Sequence, residues 1–187
     1  MNQTDDRARY HYHRDQLALR MIQHGARSST VSTWTDLSID RVYTLAQRET
    51  PVPQVPHRGR SPRRITYFFR TPQLAVHATT LASLFDLFEI LSETTPGTPT
   101  QSLRILDPGE KLCCAYEMYI AMVESPLIRF EHAALLATAL AEGREIFLRY
   151  CPMCGRARLV DWSGFATDTC MHCQPGEHRG AIAGNSA

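Results

Sequence analysis

Cys151, Cys154, Cys170 and Cys173 stand in a C-x2-C-x15-C-x2-C pattern, and no other feature of the chain constrains its fold as tightly. Each pair places two thiols on one tight turn. The insert between the pairs is long enough for the chain to fold back and close a tetrahedron of sulfurs, the geometry Zn2+ takes in four-thiolate sites. Such a shell leaves no position for substrate. The pattern therefore predicts one structural zinc ion per chain and not a catalytic metal. Gly155 after the first pair and Pro175 after the second suit the turns of a zinc ribbon. The alternative is two disulfides in a secreted protein. It fits poorly, because residues 1–16 are charged and polar rather than leader-like, and the preceding 150 residues do not resemble a small disulfide-stapled domain.

At 187 residues and 43% apolar content, the chain can bury a core in one domain with an appendage. No apolar run approaches the ~20 residues that span a bilayer, so a cytoplasmic protein without membrane contact is expected. The formal net charge of +1 hides an asymmetry. Residues 1–70 hold twelve arginines and six acids, whereas residues 71–150 hold five basic residues and ten acids. A basic front joined to an acidic middle suggests that the front faces a polyanion. Nineteen of the twenty basic residues are Arg, whose planar fork suits phosphates and guanine edges. Base composition of the genome accounts for that ratio as readily, but less readily for the clustering.

The periodicity predicts a mostly helical chain. Helices are expected over Asp5–His24, Ile39–Glu49 with Ser38 as N-cap, and Pro72–Thr94. Two more are expected, from Asp107-Pro108 to about Glu124 and from Ser125-Pro126 to about Gly143. Ile146–Tyr150 and Leu159–Trp162 read as strands entering and leaving the first cysteine knuckle. The resulting division is a helical body over 1–143, a zinc-ribbon-like four-cysteine module over 144–179, and a disordered tail over 180–187.

Within the body, residues 26–49 fit a helix-turn-helix. Val31, the Leu37-Ser38 turn and Val42 occupy its apolar positions, while Ser32 and Asp36 stand where a small residue and a glycine are usual. In that geometry the second helix would enter the major groove, with Arg41, Thr44 and Arg48 as base readers and Arg27 nearby. An ordinary antiparallel helix pair in the core describes the segment equally well. Residues 50–64 carry four prolines and read as a basic arm whose Arg58, Arg60, Arg63 and Arg64 would follow phosphates. A solvated loop is the plainer reading, and the adjoining helix-turn-helix tips the balance toward DNA. Helices over 72–143, being acidic, would face a protein partner. Cys113 and Cys114, adjacent in a helix, read as buried thiols, and His77 and His132 as packed side chains. His172 and His178 are expected to be exposed, since four thiolates already close the shell. There is no phosphate loop, nucleophile elbow or paired-histidine metal motif, so no enzyme is expected. The same absence excludes an adenylate-kinase lid, which also carries two C-x2-C pairs.

In order along the chain, these features resemble the FlhC family, over about Gln16 to Arg179. The carriers are Leu17-Ala18, Met21-Ile22 and Gly25-Ala26-Arg27, then Leu37-Ser38 and its following helix, the Pro-rich linker and Val76-His77-Ala78. The cysteine pairs and Cys173-Gln174-Pro175 complete the set. The resemblance implies a helical protein with a zinc site at Cys151, Cys154, Cys170 and Cys173, in a hetero-oligomer with an FlhD-type subunit. It further implies a transcriptional activator that binds promoter DNA of flagellar operons and recruits RNA polymerase. This chain departs from the pattern in its Arg-rich linker and at Glu131-His132, where a basic or aromatic segment is expected. Two other classes stay open: a zinc-stabilised scaffold that binds only protein, and a zinc enzyme, which would need an open coordination position.

Overall fold

The structure, a computed structural model, describes residues 3–49, 62–91, 108–161, 169–170 and 172–173. Helix α1 (Gln3–Gln23) turns Leu17, Ala18, Met21 and Ile22 inward at the three-and-four spacing of a helix face. It stops at Gly25, whose φ of +79° suits a residue without Cβ. The amide of Gly25 reaches the Ile22 carbonyl at 2.8 Å and that of Ala26 reaches Met21 at 3.0 Å, the paired bonds of a Schellman cap. Helix α2 (Ser28–Thr35) follows at once, then α3 (Ile39–Glu49), with Ser38 Oγ accepting from the Arg41 amide at 3.3 Å as its N-cap.

Residue 62 resumes the described chain, which forms a 3-10 turn at Ile65–Phe69 and then α4 (Pro72–Leu87). Thr71 caps α4 by accepting from the Leu74 amide at 3.1 Å, with Pro72 at the first helical position. The helix was expected to reach Thr94, yet it ends at Leu87. Glu89 takes φ +58°, the amides of Glu89 and Ile90 close a second Schellman cap on Asp86 and Phe85, and Ile90 turns into the core. Burying Ile90 outweighs the ~1 kcal/mol that a non-glycine residue loses in this conformation.

Helices α5 (Pro108–Met122) and α6 (Phe130–Glu142) complete the helical body. The start of α6 lies four residues later than Ser125-Pro126 predicts. The buried Tyr119 hydroxyl accepts from the amides of Leu127 and Ile128, at 3.1 and 3.2 Å, and so holds the segment extended while Ile128 is buried. Gly143, at φ +60°, closes α6. Strands β1 (Ile146–Tyr150) and β2 (Ala157–Asp161) then pair antiparallel, with Leu148 opposite Leu159.

Ile146 and Leu159 belong to the same buried cluster as Met21, Phe85, Tyr119 and Leu136. The boundary at 143/144 thus divides the sequence but not the core: the hairpin leans on α4 and α6. The Leu159 amide donates to Thr79 Oγ1 at 3.2 Å, and Tyr150 donates to the Asp86 carboxylate at 2.6 Å. Among the described residues no helix is long and apolar enough to cross a membrane. The architecture is mostly helical, six helices among the described residues with a four-cysteine cluster on a small hairpin.

Helices α1 and α5 are fastened by charge. Arg20 donates to both oxygens of Glu117, at 2.7 and 2.6 Å, and His24 meets the same carboxylate at 2.8 Å. The Arg20 hydrogen bonds, against a smaller cost of burial, hold the Glu117 carboxyl down to about 2. Because its folded value is depressed, the stabilisation is complete above the ordinary carboxyl pKa and disappears as pH falls toward 2. Glu117→Gln should therefore cost about 1 kcal/mol at pH 7, a figure reduced by solvent screening because the side chain is 38% exposed. It should cost nothing near pH 2. Urea unfolding of both proteins across this range checks it; parallel pH curves would rule the pair out as a source of acid sensitivity.

Candidate metal centre and nucleic-acid interface

Strand β1 delivers Cys151 to the hairpin turn, so the first knuckle is the loop between the two strands. The Cys151 amide bonds the Arg156 carbonyl at 2.9 Å and the Gly155 amide returns to the Cys151 carbonyl at 2.8 Å. Gly155 adopts φ +70° in open space, so its conformation and not crowding calls for glycine. The second knuckle closes through the Cys173 amide on the Cys170 carbonyl at 2.9 Å. An arginine of β2 holds it in place, the Arg158 guanidinium donating to the Thr169 carbonyl.

The four sulfurs all lie within 4.8 Å of one another, with Cys154 and Cys170 at 3.5 Å. A tetrahedral ion with metal–sulfur bonds of ~2.3 Å separates its ligand atoms by ~3.8 Å, so the spacing suits one metal. None of the four is in a disulfide. The backbone is aimed at the cluster: the Cys170 amide points to Cys151 Sγ at 3.4 Å. That amide, with those of Cys154 and Met153 and against a cost of burial, lowers the Cys151 thiol to about 6. Cys173 moves the opposite way, to about 12, through its hydrogen bond with Cys154 followed by desolvation. Four thiolates this close repel, and a bound cation is what allows all four to lose their protons. The residues therefore fit a metal ion. Soft, all-sulfur ligation selects thiophilic metals, and a closed shell gives a structural role. His172 is exposed, as expected, and His178 lies outside the described residues.

Residues 26–49 fold as two helices joined by a short turn. Asp36, where a helix-turn-helix usually carries glycine, takes φ +54°, and Ser32 Oγ donates to the Leu37 carbonyl at 2.7 Å across the turn. Asp36 thus takes the left-handed conformation for which a turn glycine is suited, and Ser32 ties the turn to α2. The unit is clamped by residues of two other helices, α1 and α6. Arg14 of α1 donates to the Thr35 carbonyl at the end of α2 and meets Asp36 at 3.0 Å. Asp15 of α1 holds the Arg41 guanidinium of α3. Glu131 of α6 accepts from the Arg27 amide at 2.6 Å and from Thr30 Oγ1 at 3.1 Å at the start of α2.

The sequence-predicted contact residues therefore separate. Arg48 is exposed on α3, and Arg63 and Arg64 are exposed where the chain re-enters the fold. Arg41 is engaged with Asp15, while the half-buried Arg27 guanidinium faces Glu131 at 3.8 Å. Thr44 spends its hydroxyl on the Asp40 carbonyl at 2.9 Å. Arg58 and Arg60 lie outside the described residues. Pro62 lines a cleft of about 210 Å³ with Ser29, Thr30 and Trp34 of α2. Glu131, Ala134, Leu135 and Thr138 of α6 line the same cleft, so the end of the basic arm meets the fold where α2 and α6 come together.

Sequence reasoning missed Arg14, Asp15 and Glu131. Only Glu131 left a signal, as an acidic residue where a basic or aromatic one is expected. His77 and His132 are packed: His77 bonds the Tyr119 hydroxyl at 2.7 Å, and the His132 ring stacks on Tyr67 at 3.9 Å. Cys113 is buried, its thiol pushed up to about 12 by desolvation, while Cys114 is half-buried and meets Arg20 at 3.4 Å. The chain matches no protein-family model and no curated protein.

Proposed function

We propose that this chain is a DNA-binding transcriptional activator of flagellar operons, built like an FlhC-family protein, whose four cysteines hold one structural zinc ion. Zinc would close the hairpin tip, which is too small to order itself. The observation that carries the reading is Pro62, at the end of the basic arm, lining one cleft with α2, the first helix of the pair, and with α6. In a docked helix-turn-helix the first helix crosses the phosphate backbone while the second enters the major groove. Arg63 and Arg64 would meet phosphates there, with Arg48 on the groove side. Arg41, held by Asp15, braces α3. The acidic helices would bind an FlhD-type subunit. Exposed Val76 and Leu87 on α4 and Met118 and Met122 on α5 favour such a protein contact there, with RNA polymerase as the downstream partner.

A salt titration of duplex binding by the full-length, metal-loaded protein tests this. Affinity should fall steeply with salt, with a log–log slope of about −0.9 for each phosphate neutralised. Arg63→Ala combined with Arg64→Ala should weaken binding to all sequences alike and flatten that slope by about 2. An affinity insensitive to salt would sink the DNA reading in favour of a scaffold that binds protein alone.

A further inference from the structure

Helix α3 buries Val42, Leu45 and Ala46, yet two large apolar side chains stay outside: Ile39 is 47% exposed and Tyr43 42% exposed. Gln47, exposed too, follows at the same interval. Residues four apart on a helix lie side by side, so Ile39, Tyr43 and Gln47 form one ridge along the flank of the buried face, next to Val42 and Ala46. Ile39 and Tyr43 thus border the core while each leaves close to half of its surface in water. Positive charge adjoins the ridge, since Arg48 is exposed next to Gln47 and has no ion-pair partner among the described residues. Arg41, by contrast, is bound to Asp15.

We infer that α3 reads its DNA through Ile39, Tyr43 and Gln47, and that this ridge selects A·T base pairs. The inference rests on the DNA-binding reading above and names the reading edge within it. The chemistry follows from the major-groove code. A glutamine amide forms two bonds with adenine N6 and N7, whereas branched and aromatic carbon packs on the thymine methyl group. An arginine fork is the commonest reader of guanine, and the one nearest the start of the helix, Arg41, is held by Asp15 as a positioning residue. Arg48, exposed and next to Gln47, adds positive charge on the groove side.

Selection from a randomised duplex pool by the full-length, metal-loaded protein tests this. The wild type should enrich adjacent A·T pairs. Gln47→Ala should lose about tenfold or more of its discrimination at one of them, and Ile39→Ala and Tyr43→Ala smaller factors at another. All three side chains are exposed, so affinity for non-specific duplex at the same salt should stay within about twofold. Arg41→Ala should instead lower affinity for every sequence together. Variants that select the wild-type site with undiminished discrimination overturn the ridge and leave DNA binding standing. A wild type that binds duplex without enriching any sequence does the same. A wild type that binds no duplex overturns both readings.

Discussion

Replacing Cys151 with serine should empty the metal site. Its sulfur is the most buried of the four, at 2% residue exposure, and is the one met by the Cys170 amide. A serine hydroxyl is a hard, neutral donor, and losing one of four thiolates should lower zinc affinity on the order of a thousandfold or more. Metal content after dialysis should fall from one equivalent to near zero. The two knuckles should become protease-sensitive, because their short turns bury almost nothing apolar. The helical circular-dichroism signal should survive, since Ile146 and Leu159 pack in the main core independently of the metal. Unchanged metal content and melting temperature would show that the four sulfurs are not a cage.

Glu131→Ala should be the most damaging change among the polar contacts that hold α2. The carboxylate sits in the first turn of α6 and at the start of α2, so it answers the positive ends of two helices at once. It accepts from the Arg27 amide and from Thr30, and it faces the half-buried Arg27 guanidinium. Alanine would strand those donors where water reaches them poorly. A loss of about 2–4 kcal/mol is expected, equivalent to a Tm fall of roughly 5–12 °C. Glu131→Gln keeps an acceptor but not the charge, so it should recover part of the loss. Because the same contact fixes α2 against α6, the alanine variant should also bind DNA more weakly on every sequence. An unaltered melting curve would show that α2 needs no support from α6.

Short-range chemistry was legible in the residues themselves. Ser38 as the cap of α3, Pro72 at the start of α4, and the strand leading to Cys151 all depend on neighbours a few positions away, and all three stand in the structure. The four-cysteine cluster was equally legible, because the spacing within a pair is set by one tight turn. Element ends were not. Whether α6 begins at Pro126 or Phe130 is decided by a tyrosine hydroxyl on another helix. Whether α4 stops at Leu87 depends on where Ile90 finds cover.

The same division runs through the candidate interface. Sequence alone determined that a basic front, a pair of short helices and a four-thiol cluster occur in this order, since composition and local pattern travel with the chain. Only the tertiary structure decided which arginines remain available. Asp15 engages Arg41 across 26 positions, and Glu131 meets Arg27 across 104. Ion pairs between residues so far apart leave no periodic trace in the sequence, because folding, not sequence spacing, brings the partners together.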